Sequence, residues 1–292
     1  MLLEQLINGR ALGASYALVA VGYSMVFGVL RLINFAHGAV YTFGAFTVWA
    51  LSSKFHVPLA LAVIVSIGLT GFLGVLLNKI GLEPLRKKGE PGIPALITTV
   101  GISYIIVNTL NIVFGAEIKR FPAIFNFGTF NFGGSTISYQ QIIIALTCVG
   151  LLLFLSFIVH KTKVGLAMRA VQQQSVAASI NGVNVNNVIT FTFFLGSASA
   201  SIAGTLIASY YQYIRPSFAD ATAMKAFSAA VLGGIGNLAG SMLGGLIVGI
   251  IESLAVFTLG STYIDIVSYS IIFAVLLIKP TGILGKKGIK KV

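Results

Sequence analysis

The sequence predicts an all-α, polytopic membrane protein with eight or nine transmembrane helices, and three observations predict it. Hydrophobic residues make up 57% of the 292, charged residues only 9%, and mean hydropathy is +0.96. A soluble domain holds about 45–50% apolar and about 25% charged residues, so most of this chain has the bilayer as its solvent. Apolar runs of the roughly 20 residues that a helix needs to cross a hydrocarbon core recur along it, broken by short basic or glycine-rich turns. Lipid-exposed backbone must satisfy its own hydrogen bonds, which makes each such run a helix.

In chain order the crossing helices fall near 11–30, 34–53, 57–78, 93–114, 140–160, 188–209, 239–258 and 262–279, with a shorter ninth around 222–236. The 19 basic residues outnumber seven acidic ones, for a formal charge of +12. They gather in three places: Lys79, Arg86, Lys87 and Lys88; Lys161, Lys163 and Arg169; and Lys279, Lys286, Lys287, Lys290 and Lys291. Lys and Arg beside membrane helices stay on the cytoplasmic side, which places all three clusters there and removes the nucleic-acid reading that such a charge suggests in a soluble protein. The loops 79–92 and 161–187 then share a face across two crossings. An even number of crossings must follow before the basic tail, so 222–236 counts as a short one. Nine crossings put the N-terminus outside; if 34–53 is broken and only partly inserted, eight put it inside. Glu4 and Arg10 precede the first apolar run without a basic start or a cleavage site, so the N-terminus is expected in the mature protein. The whole chain, 1–292, is expected to be one transmembrane domain.

Glycine marks close helix packing. Gly236, Gly240 and Gly244 recur at a spacing of four, with Gly245 and Gly249 on an adjacent face; Gly196, Ala200, Gly204 and Ala208 form a second small-residue stripe.

Groups able to do chemistry are few. Glu252 and Asp265 lie toward the outer ends of their helices and are expected at the interface or in pairs, and His37 falls in the first turns of 34–53. Cys148, the only cysteine, lies in an apolar run, which excludes a disulfide framework and a CxxC metal site. No GxxxxGK[ST] loop, GxSxG elbow, HExxH pair or carboxylate dyad occurs, so no enzyme is expected and no ATP hydrolysis within this chain.

The segment KTKVGLAMRAVQQQSVAASINGVNVNN, Lys161 to Asn187, is too polar to cross. Residues 165–180 favour one helix, stopped at Asn181-Gly182, with Leu166, Ala170, Ala177 and Ile180 able to share a side. One reading is a helix lying on the membrane; the sharper one is a cytoplasmic helix presented to a soluble partner, which would supply the work that a chain without an ATP site lacks.

Four motifs together resemble the permease subunits of ABC importers for branched-chain amino acids, of the LivH type. They are NGRALGASYALVAVGYSMVFGVLRLINFAHGAVYTFGAF, VGLAMRAVQQQSVAASINGVNV, MKAFSAAVLGGIGNLAGSMLGGLIVGIIESL and KPTGILG, which span nearly the whole chain. The resemblance implies a type II importer fold in the bacterial inner membrane and a second, related permease as heterodimer partner. It further implies two cytoplasmic ATPase subunits that use the ATP and magnesium, no cofactor in this chain, and an extracytoplasmic binding protein that delivers leucine, isoleucine or valine. Relatives that carry urea, amides or other amino acids are the alternative cargo, and a stand-alone ion-driven carrier is the alternative class.

By resemblance the coupling region carries over to Gly165, Leu166, Met168, Arg169, Ala170, Ala177, Ser179 and Gly182. Arg169 would give a charged contact, Leu166 and Met168 an apolar knob, and Gly182 the turn. The QQQ at 172–174 departs from the family, whose members often carry an acidic residue there. Asn34, His37 and Gly38 are expected to line the substrate path at a helix break, where polar groups stand in an otherwise apolar run.

Overall fold

The computed structural model describes residues 2–89, 92–122, 128–132, 135–279 and 281–285. The lysines of the basic tail beyond Gly285 lie outside the described residues. Its helices are α1 (Leu2–Leu30), α2 (His37–Trp49), α3 (Leu59–Leu76), α4 (Glu83–Lys87), α5 (Ile93–Phe114) and α6 (Tyr139–Lys161). They continue as α7 (Lys163–Gln173), α8 (Ser175–Ile180), α9 (Val185–Tyr211), α10 (Ala219–Gly233), α11 (Leu238–Leu259) and α12 (Ile264–Ile278). A π-helical turn extends α2 over Ala50–Lys54, and another joins α3 to α4 over Leu77–Leu82. Among the described residues six helices are long and apolar enough to cross a membrane: α1, the α3–α4 unit, α5, α6, α9 and α11. The shorter α2, α10 and α12 complete the bundle, and the nine expected apolar segments each coincide with one helix of it.

Helices α1 and α9 form the centre. Their most apolar stretches are 78% and 83% buried, against 17% for α5 and α6, which turn Ile105, Ile112, Leu146 and Phe154 outward. Lipid tails are as apolar as leucine, so helices associate here through close contact rather than through escape from water. The glycine stripes serve that contact on two sides of α11. Gly240 and Gly244 lie on Gly233 and Ala229 of α10, while Gly245 and Gly249 lie on Ala17 and Gly13 of α1. A Cβ on Gly13 would stand 2.7 Å from the Leu246 Cα. Along α9, Gly196 meets Val26 of α1 and Gly204 meets the Tyr41 backbone of α2, with Ala200 and Ala208 fully buried between neighbours. Serines add short bonds between helices: the Ser66 hydroxyl reaches the Gly44 carbonyl at 2.7 Å and the Ser201 hydroxyl at 2.8 Å.

These contacts fix the two ends of the bundle. At one end Gly28 of α1 lies on Gly236, and the tail returns so that Ile283 and Leu284 donate to the Leu232 and Gly233 carbonyls at 2.8 and 3.0 Å. The described members of the three basic clusters share this end. At the other end β1 (Lys119–Arg120) pairs antiparallel with β4 (Tyr213–Ile214), and β2 (Thr129–Phe132) with β3 (Ser135–Ser138). Strands of two to four residues carry no readable alternation, which is why the sequence does not announce them.

The buried ions form one group. Lys225 of α10 sits 3.1 Å from Glu252 of α11 and 3.2 Å from Asp265 of α12. Tyr16 of α1 donates to the other Glu252 oxygen at 2.6 Å, and the Ser268 hydroxyl donates to Glu252 as well. Glu252 and Lys225 are 1% and 8% exposed, so a lysine joins the acidic pair expected near the interface, and with Tyr16 the group ties four helices.

Two outcomes follow for the purified protein. Gly249→Val drives two methyls into the Gly13 backbone and should cost about 1–3 kcal/mol in a detergent melt, whereas Gly101→Val, with open space around it, should melt as wild type does. Lys225→Ala leaves Glu252 buried without a counter-charge and should cost about 3–5 kcal/mol. Asp265→Asn, at an exposed carboxylate, should change stability by less than about 1 kcal/mol.

Candidate functional site

Two places in the fold carry the residues singled out by the sequence. The first is the helix pair α7–α8 at the basic end. Thr162 starts α7 by accepting from the Gly165 amide at 3.0 Å, while its hydroxyl donates back to the Ile158 carbonyl at 2.6 Å. A Cβ at Gly165 would run into the carbonyls of Ile158 and Val159, so only glycine lets α7 turn this tightly under α6. The Arg169 guanidinium donates to the Val159 carbonyl, placing a cation on the electronegative end of α6. The expected single helix over 165–180 is two helices, because Gln174 is extended at φ −159° and ψ 107°.

The stop after α8 is as expected. Gly182 takes φ +82°, its amide bonds the Ser179 carbonyl at 3.0 Å and the Val183 amide bonds the Ala178 carbonyl at 3.0 Å, which closes the helix end in a Schellman motif.

One expected role needs correction. Met168 is 1% exposed and packed into the bundle, so it cannot form a knob with Leu166; two residues apart on a helix, the pair point to nearly opposite sides. Leu166 is exposed instead alongside Val164, Val176 and Ile180, the last at 81%. Ala170 and Ala177 are half-buried and Ser179 is exposed. Val164 and Val176 were not among the expected residues; as β-branched apolar side chains in an otherwise polar segment, they carry a readable signal.

The second place is the break before α2. The chain leaves α1 through Arg31, at φ +54°, and runs without helix to Ala36. Asn34 shapes the corner: its side-chain oxygen accepts from the Ala36 amide at 3.1 Å and its backbone carbonyl from the His37 amide at 3.2 Å. The Phe35 amide, left without a helical partner, donates to Thr99 of α5 at 3.3 Å. His37 then opens α2 in the interior at 1% exposure, its ring 4.5 Å from that of Tyr23. Its Nε2 has no hydrogen-bond partner within bonding geometry and lies against Gly22, where a Cβ would approach it to 2.6 Å. Gly38 is buried beside it and its carbonyl accepts from the Thr42 hydroxyl at 3.2 Å.

Asn34, His37 and Gly38 are therefore brought together at one break, while Gly165 through Gly182 form a separate surface at the basic end. Sequence reading missed Lys225 and Tyr16, which complete the Glu252 group; a lysine inside the apolar segment 222–236 was the available signal.

Over residues 5–278 the chain matches the family described as "Branched-chain amino acid transport system / permease component". It is 37% identical to the high-affinity branched-chain amino acid transport system permease protein BraD of Pseudomonas aeruginosa, covering 99% of this chain and 98% of that one. It is 36% identical to LivH of Escherichia coli, named as a permease of the same kind of system, over 99% and 97% of the two chains. The autoinducer 2 import system permease LsrD of Salmonella paratyphi B is 24% identical over 85% of this chain. With its bundle of apolar helices and a match from Gln5 to Ile278, the chain is a membrane protein that belongs to the family of branched-chain amino acid transport permease components.

Proposed function

We propose that the chain forms, with a second and related permease, the membrane path of an ATP-driven importer for leucine, isoleucine and valine. The observation that carries this reading is the helix pair α7–α8. It holds Leu166, Val176 and Ile180 exposed beside Gln172 and Gln173 at the end of the bundle, where an apolar patch in water marks a protein contact. One of two partner ATPases docks on that patch and the other on the related permease, and together they supply ATP and magnesium chemistry; this chain contributes shape and movement. ATP-driven closure of those subunits pushes α7–α8. Because Thr162, Gly165 and Arg169 lock α7 to the end of α6, the push reaches the bundle as a rigid displacement.

At the opposite end an extracytoplasmic binding protein delivers the amino acid. Strand pairing there sets Arg120 and, two residues beyond its partner Tyr213, Arg215 on one exposed side of the ribbon. Between the two ends the break at Asn34–His37 offers polar groups inside an apolar wall, which suits a hydrophobic amino acid with a charged head. The identity of the relatives favours branched-chain cargo over urea or amides.

Affinity purification of the tagged chain from its membrane tests the docking. Wild type should bring two Walker-motif ATPases and a second permease; Leu166→Asp with Ile180→Asp should lose the ATPase held by this chain and keep the permease. Co-purification of both ATPases with the double variant overturns the assigned surface. For the path, Asn34→Ala with His37→Ala should lower leucine uptake at least tenfold with the complex intact, and uptake at the wild-type rate would remove both residues from it.

A further inference from the structure

Between the C-terminal end of α1, the α6–α7 junction, the α10–α11 turn and the returning tail lies a cavity of about 700 Å³. Arg31, His160 and Arg169 line it together with the amides of Gln172, Gln173 and Asn237, and no aspartate or glutamate does. Part of this donor set is already in use. Asn237 donates to the Leu284 carbonyl at 3.0 Å, His160 bonds Ser156 through Nδ1, and Arg169 gives one nitrogen to Val159. The side chains of Arg31, Gln172 and Gln173 make no hydrogen bond or ion pair among the described residues.

A cavity rich in donors and free of carboxylates selects an anion with several acceptor oxygens, and the planar fork of arginine matches phosphate with two parallel bonds. Its position narrows the source. The cavity lies at the ends of α1, α6 and α11 on the basic side of the bundle, the side that the charge bias assigns to the inner leaflet, where basic pockets between helices take anionic head groups. Past Gly285, which lines the cavity, the sequence continues with Lys286, Lys287, Lys290 and Lys291, the kind of polybasic run that attracts anionic lipid.

We propose that this cavity binds a phosphate group, supplied by an anionic phospholipid of the inner leaflet. The site is separate from the cargo, and it shares Arg169, Gln172 and Gln173 with the helix α7 proposed to carry the ATPase contact.

Native mass spectrometry of the purified permease complex, released from nanodiscs of equal phosphatidylglycerol and phosphatidylcholine, is the test. Wild type should retain phosphatidylglycerol in preference to phosphatidylcholine, and Arg31→Gln should reduce that preference about fivefold. Lys54→Gln, beside the opposite face, should leave it unchanged. Equal retention of the two lipids by wild type overturns the proposal whatever the variant does, as does an unchanged preference in Arg31→Gln. A second arm uses phosphatidylcholine nanodiscs and inorganic phosphate. No rise in wild-type melting temperature supports the lipid as source; a rise lost in Arg31→Gln overturns it in favour of a free phosphate. If neither lipid nor phosphate binds, the donors await an acidic side chain of a partner and the inference falls.

Discussion

The approach of helix backbones at glycine is the constraint on which the rest of this structure depends. Inside a bilayer a larger apolar side chain gains little by leaving lipid for protein, so α1, α9 and α11 can hold together only where their surfaces fit closely. Gly13, Gly245 and Gly249 provide that fit on one side of α11, and Gly233, Gly240 and Gly244 on the other. Everything with polar character depends on this core being dense. The Glu252 carboxylate is tolerable at 1% exposure because α1, α10 and α12 come close enough to bring Tyr16, Lys225 and Ser268 to it. His37 is held against Gly22 for the same reason.

Legibility followed the physics of each signal. The crossing helices could be read because a run of apolar residues has one stable form in lipid, and the stop at Gly182 because a left-handed backbone favours glycine. The two strand pairs could not be read, since a few residues in an outer loop hold no period. Nor could the split at Gln174, because no glycine or proline marks it and residues on both sides favour helix. Met168 shows the limit of residue type as a guide. The sequence says apolar, while only the rotation of α7 about its axis says which apolar residue faces out.

The four motifs that carry the family resemblance coincide with the places where the backbone leaves regular helix. INFAHG builds the corner before α2 around Asn34. VGLAMR places Gly165 and Arg169 under the end of α6. In LGGIGNLAG, Gly234 and Gly236 take φ +104° and +92°, and Asn237 caps α11 by accepting from the Gly240 amide at 3.1 Å. The last motif, KPTGILG, returns the tail to satisfy carbonyls at the end of α10. An apolar helix in lipid tolerates exchange among leucine, isoleucine, valine and phenylalanine, so its sequence says little beyond its existence. A corner at membrane depth must pair each freed amide and carbonyl, and only particular residues do so.

Those corners also define what can move. Helix α7 is fixed to α6 through Thr162 and Arg169, and α8 leads through the Gly182 turn into α9, so the pair α7–α8 bridges a lipid-facing helix and the central one. Displacing the pair therefore displaces α9 or bends it. On α9 lie Ser199, beside Gly22 of α1 on which His37 packs, and Gly204, against the α2 backbone. The non-helical stretch from Arg31 to Ala36 interrupts the helical ladder between α1 and α2. A force applied to α7–α8 thus reaches, through α9, the break that holds Asn34 and His37. A bundle of uninterrupted helices would spread the same force over many rigid contacts.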